Sequence, residues 1–154
     1  MGVSGSGKTT IGQLLAEELA VSFIDADDYH PNANIEKMAN GIPLNDSDRF
    51  PWLSRLNQIA KDNMTTGCVI ACSALKANYR IRLADSIESN IVWIYLKGNY
   101  EQIYKRMQNR QDHFMGADML KSQFEALEEP DHAINIDIED SLEQIVQKIK
   151  TELG

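Results

Sequence analysis

Apolar residues along this chain alternate between two spacings. From Lys8 to Ala20 they recur at Ile11, Leu14, Leu15 and Leu19, the period of a helix that buries one face. Val21 to Asp25 is a short apolar run ending in acid, which predicts a buried strand with its carboxyl end at a site. Asn32 to Ala39 reads as a short helix, started by Pro31 and stopped by Gly41. Gly41 to Trp52 is broken by Pro43, Asn45, Asp46 and Pro51 and reads as a loop. Pro51 suits the first turn of a helix running to about Thr65, with Leu53, Leu56, Ile59 and Ala60 on one face.

The alternation continues downstream. Cys68–Cys72 predicts a second strand, Lys76 to about Ile87 a helix, and Ile91–Leu96 a third strand. Tyr100–Gln108 is helical, and Asn109–Gly116 is polar without a period. Asp118–Leu127 is a helix with an acid in its first turn and Pro130 beyond its end. Ala133–Ile138 predicts a fourth strand, and Ser141–Leu153 a last amphipathic helix. Strands alternating with helices imply a parallel sheet covered on both faces, here as one domain over residues 1–154. In such sheets the ligand lies beyond the carboxyl ends of the strands. That rule draws the chain's start, Asp25-Ala26-Asp27, Ser73 and the segment after Leu96 around one cleft.

The start carries the strongest chemical signal. Gly2-Val3-Ser4-Gly5-Ser6-Gly7-Lys8-Thr9 fits the phosphate-binding P-loop, G-x-x-x-x-G-K-[ST]. Glycines let main-chain N–H groups approach phosphate without a Cβ in the way. A helix starting at about Gly7-Lys8 aims its free N–H groups and positive dipole end at the same anion. Lys8 supplies an ammonium for β- and γ-phosphates, the Thr9 hydroxyl a ligand for Mg²⁺, and Thr10 extends the nucleotide contact. A P-loop follows a strand, yet only Met1 precedes Gly2, so the expectation is a chain lacking that strand.

Asp25 and Asp27 close the first predicted strand. Beside a P-loop, Asp27 is placed to meet an acceptor hydroxyl, and Asp25 to lie near Mg²⁺ or its water; strand-end capping is the plain alternative. Arg49, Lys76, Arg80, Arg106 and Arg110 gather in loops and helix starts on the proposed face, where cations would meet phosphoryl charge or an acceptor carboxylate. His30 and His113 fall in predicted loops near the site as candidate substrate contacts, whereas His132 reads as incidental. Trp93, Tyr95 and Phe124 have core spacing.

Bulk properties narrow the partners. A net charge of −8 argues against nucleic acid and anionic membrane but leaves a local phosphate site open. No apolar run approaches the ~20 residues of a membrane span, and nothing resembles a signal peptide. Cys68 and Cys72 on one strand lie too far apart to bridge and lack a zinc-like partner, so they read as reduced, small apolar residues of a cytoplasmic protein.

Longer blocks are more specific than the P-loop. Asp25-Ala-Asp-Asp-Tyr-His-Pro31, Asn34-Ile-Glu-Lys-Met38, Gly41-Ile-Pro-Leu-Asn-Asp46, Asp48-Arg49, Pro51-Trp52-Leu53, Cys72-Ser-Ala-Leu-Lys76, Tyr79-Arg80, Leu96-Lys-Gly98, Arg106, Arg110, His113-Phe114 and Ser122-Gln-Phe-Glu125 closely resemble gluconate kinases. These are P-loop kinases related to shikimate and nucleoside monophosphate kinases. The resemblance implies a three-layer α/β/α P-loop kinase fold with a parallel sheet and a mobile lid at about 109–116. It implies Mg²⁺- and ATP-dependent phosphorylation of D-gluconate on its terminal hydroxyl, and commonly a homodimer. It turns Asp27, Arg49, Lys76 and Arg80 toward the acceptor, and puts Arg106 and Arg110 by the lid and nucleotide. The second strand ends at Ser73 rather than in a Walker-B-like Asp, a feature the family shares, which leaves Asp25 or Asp27 as the carboxylate near the metal. Two readings stay open beside it: another small-molecule kinase such as shikimate kinase, and a nucleotide-binding fragment without turnover.

Overall fold

The computed structural model describes residues 1–110 and 116–154. Seven α-helices and four strands alternate through them: α1 Lys8–Leu19, β1 Ser22–Asp25, α2 Asn32–Ala39, α3 Asp46–Asp62, β2 Cys68–Ala71, α4 Ala77–Ala84, β3 Ile94–Lys97, α5 Tyr100–Gln108, α6 Ala117–Ala126, β4 Ile134–Asp137 and α7 Leu142–Leu153. A 3₁₀ turn, Ala26–Tyr29, joins β1 to the next segment. This is the three-layer α/β/α arrangement expected from the alternation, with all strand pairs parallel.

Most helices start where local chemistry places them. Asn99 and Gln102 form a reciprocal capping box on α5, and Ser141 and Gln144 form one on α7. One boundary differs from expectation. Helix α3 begins at Asp46, five residues before the anticipated Pro51 start. The Asn45 side chain accepts from the Asp48 N–H at 2.8 Å, and the Asp48 carboxylate accepts from the Asn45 N–H at 3.0 Å. That box satisfies two free donors and nucleates the turn upstream. Pro51 lies inside the helix, where the carbonyl it leaves unpaired belongs to exposed Ser47. Arg49 is therefore a helical residue rather than a loop residue.

The sheet also departs from the simple expectation. Among the described residues it is two parallel pairs, β1–β2 and β3–β4, rather than one continuous sheet. The strands are four residues each, and β3 runs Ile94–Lys97, starting three residues later and ending one residue later than the anticipated Ile91–Leu96. Met1 and Gly2 stitch the two pairs together. The Met1 amino group donates to Ile94 O and the Leu96 N–H to Met1 O, while the Gly2 N–H donates to Ser73 O. Behind this stitch, between β2 and β3, lies a cavity of about 370 Å³ lined by Ile11, Leu15, Val69, Ile70, Ile94 and Ile149, among others.

Two apolar cores flank that division. One gathers Val3, Ile11, Leu15, Leu96, Ile103, Ile136, Ile145 and Ile149 from α1, β3, α5, β4 and α7. The other gathers Trp52, Leu53, Leu56, Cys72, Tyr79 and Leu83 from α3, β2 and α4. Val3 belongs to the first and Met1 packs on the second. The P-loop thus starts at the seam between the cores, at the carboxyl ends of both strand pairs.

Candidate active site

The P-loop is built by its glycines. Gly5 has φ +80°, and a Cβ there would come within 2.7 Å of the Met107 side chain on α5. Gly7, with φ +96°, takes the left-handed conformation that turns the loop into α1. The main-chain N–H groups of Gly5, Gly7, Lys8, Thr9 and Thr10 find no acceptor among the described residues. Free, convergent donors at a helix start are the chemistry an oligophosphate requires. Lys8 folds back over the loop, its Nζ donating to Val3 O at 2.9 Å. Burial pushes its pKa down, against the pull of Asp27, Cys72 and Asp25. Ser6 is fully buried within the turn, whereas the Thr10 side of α1 is exposed.

The carboxyl end of β1 delivers the acids. Asp25 uses both oxygens: Oδ2 accepts from the Thr9 hydroxyl at 3.1 Å, and Oδ1 from the Asp27 N–H at 3.0 Å. A hydroxyl paired with a carboxylate at the end of a P-loop fits a Mg²⁺ site shared with phosphate oxygens and water. Among the described residues no cluster of three His, Cys, Asp or Glu could hold a metal by itself. Desolvation, and then the like charge of Asp25, raise the Asp27 pKa above the ordinary aspartate value. Asp27 is thereby a better proton acceptor than a free carboxylate.

Beyond Asp27 the wall is built from α2, α3 and α4. His30 stacks on Trp52 with ring centroids 4.1 Å apart, and Trp52 Nε1 donates to Ala26 O at 2.7 Å. Asn34 Nδ2 donates to His30 Nδ1 at 3.2 Å and to Asp48 O at 2.9 Å. That partner leaves the His30 Nε2 to carry the ring proton. Burial lowers the His30 pKa, helped by Arg49 and opposed by Asp27. Arg49 Nη1 donates to Leu44 O at 2.5 Å, and both Arg49 and Lys76 lie 5.6 Å from the Tyr79 ring centroid. Tyr79 Oη and Lys76 Nζ donate to the same Asp46 oxygen, at 2.5 and 3.2 Å. Lys8, Asp27, His30, Arg49, Tyr79 and Lys76 thus form one string of interacting groups along the cleft.

Other anticipated residues sit differently. Arg80 was expected to face the acceptor; its guanidinium is buried and donates to Ala74 O, Leu75 O and Glu128 O. Three carbonyls in a fixed fork make it a brace for the Ser73–Lys76 loop. Arg106 donates to Ile138 O, and Arg110 is exposed just past α5. His113 and most of the 109–116 segment lie outside the described residues. The residue-by-residue reading passed over Asp46, Tyr79, Asn34 and Gln123. Each stands inside a block that carried the resemblance, but Asp46, Tyr79 and Gln123 have their partners far off in the chain, and Asn34 reaches from its own helix to α3.

A phosphate cradle and an acid-lined acceptor wall, set at the carboxyl ends of parallel strands, define a P-loop kinase of small molecules. Known proteins agree. The family model for shikimate kinase matches residues 4–153. The thermosensitive gluconokinase of Escherichia coli (strain K12) is 46% identical, the match covering 97% of this chain and 83% of that one. A probable gluconokinase of Dictyostelium discoideum is 44% identical, over 97% and 82%. The crystal structure of a gluconokinase from Sinorhizobium meliloti 1021 superposes with a TM-score of 0.87 at 38% identity, over 99% of this chain and 88% of that one. The chain belongs to the gluconokinase family, within the shikimate-kinase group of P-loop proteins.

Proposed function

We propose that this protein transfers the γ-phosphoryl group of ATP to the terminal hydroxyl of D-gluconate, giving 6-phospho-D-gluconate and ADP. The observation that carries the reading is the Thr9–Asp25–Asp27 arrangement. It sets a metal-side pair, the Thr9 hydroxyl and the Asp25 carboxylate, beside a proton-accepting carboxylate two residues past Asp25, at the mouth of an amide cradle with no acceptor among the described residues. The gluconokinase relatives supply the acceptor's identity.

In this reading the amides of residues 5 and 7–10, with Lys8, hold the β- and γ-phosphates. Lys8 moves its Nζ from Val3 O to phosphate, exchanging a neutral partner for an anionic one. Thr9 and Asp25 would hold Mg²⁺, which when bound would offset charge on the transferring group. Asp27 accepts the hydroxyl proton as the acceptor oxygen bonds to phosphorus and the bridge to ADP breaks. His30, Arg49 and Lys76 line the acceptor side, where a cation pairs with the sugar-acid carboxylate. Arg106 and Arg110 stay assigned to the nucleotide and lid side, and His113 to the substrate. The proposal includes a homodimer working in the cytoplasm; the described helices include none long and apolar enough to cross a membrane. A substrate panel of polyol acids and shikimate with coupled ADP detection tests it. Turnover confined to gluconate supports it, and preferential turnover of another acceptor overturns it.

A further inference from the structure

We propose that Gln123 and Glu128 are positioning residues that tie the nucleotide loop and the acceptor loop to one short segment. The proposal rests on the reading of the P-loop as the ATP site and of the Lys76 side as the acceptor site.

The nucleotide end is a matched pair. Gln123 Oε1 accepts from the Ser4 N–H at 2.7 Å, and Gln123 Nε2 donates to Ser4 Oγ at 3.1 Å, across 119 residues of sequence. A primary amide offers one acceptor and one donor side, and both are used on one residue. The pairing fixes the third position of the P-loop. It occupies the Ser4 N–H and makes Ser4 Oγ an acceptor, leaving that hydroxyl's own proton to be donated elsewhere. Helix α6 is itself pinned by fully buried Leu120, and by Phe124 packed on the core.

The acceptor end follows within five residues. The Glu128 N–H donates to Leu75 O at 2.8 Å, and Glu128 O accepts from Arg80 Nη2 at 2.8 Å. The Glu128 carboxylate accepts from the Ala77 N–H at 3.1 Å. Ala77 opens α4, and the residue before it, Lys76, provides no side-chain cap. Glu128 therefore caps from outside the helix whose first turn aims Lys76 at Asp46 and Tyr79. Residues 123–128 thus set the distance between the two halves of the cleft. A role in bulk stability alone would not divide its effects between the two substrates.

The test uses the full chain with Gln123→Leu, Glu128→Ala and Glu128→Gln. Binding of a non-hydrolysable ATP analogue is measured by calorimetry without acceptor, alongside both KM values and the melting temperature. Gln123→Leu should weaken the analogue and raise KM for ATP about tenfold, leaving KM for gluconate within about twofold. Glu128→Ala should do the reverse, and Glu128→Gln, which keeps an acceptor oxygen, should restore wild-type values. Equal effects on both substrates, or a melting shift with neither affinity changed, overturn the proposal. If Gln123→Leu does not fold, Gln123→Met decides by the same analogue binding, since a thioether has no proton to donate to Ser4 Oγ and accepts only weakly from the Ser4 N–H. The analogue arm stands even if gluconate proves not to be the acceptor, so the two failures are distinguishable.

Discussion

In the proposed transfer, Asp27 is the residue that takes the hydroxyl proton. Its carboxylate is pushed up from the ordinary 3.8 by burial and by Asp25, while Lys8 and His30 pull it back. Asp27→Asn should lower kcat by about a hundredfold or more, because the hydroxyl proton loses its acceptor. In the wild type the acid limb of kcat should lie above 3.8, since the raised group protonates earlier as pH falls. That limb should vanish in the variant; its persistence would assign the limb to another group. Lys8→Ala should abolish transfer while leaving the far-ultraviolet circular dichroism unchanged, and wild-type turnover would remove Lys8 from the site. The placement of the P-loop turn beside Asp25 and Asp27 at the end of β1 was legible in the sequence because it follows from short local motifs. Arg80 was not, because its charge alone did not tell a substrate contact from a brace; only the three carbonyls around it do that.

At the scale of elements, helix spacing and strand runs read clearly, and α2 and α5 match expectation residue for residue. The start of α3 was misread because a proline at a first turn and an Asn-x-x-Asp box both signal a helix start, and the box lies upstream. Asn45→Ala should cost about 1 kcal/mol, read as a melting point lower by several degrees. The same substitution frees Asp48, which also holds Lys37 at 2.8 Å, so Lys37→Ala should shift melting less in the Asn45→Ala background than in wild type. Gly5→Ala probes the approach of the P-loop to α5. A Cβ within 2.7 Å of Met107, at φ +80°, should weaken ATP-analogue binding; undiminished binding would mean the loop adjusts freely.

For the whole molecule, the division into two strand pairs was the least legible feature. Periodicity shows which residues form strands but not which edges meet, and among the described residues the two strand pairs are bridged through Met1 and Gly2. The Met1 ammonium is buried there, and desolvation, with Lys8 beside it, lowers its pKa from 8.0 to about 5. The unfolded chain therefore binds more protons than the folded one between pH 5 and 8, and stability of the 154-residue chain should rise with pH across that window. N-terminal acetylation should flatten the rise; an unchanged slope would place its origin elsewhere.

The product formed from ATP, Mg²⁺ and D-gluconate by the purified protein, followed by phosphorus NMR with the Asp27→Asn variant as control, tests the proposed transfer most directly. A phosphomonoester on the terminal carbon, stoichiometric with ADP and lost in the variant, is expected. ADP released without a phosphorylated acid, or transfer undiminished in the variant, would contradict it.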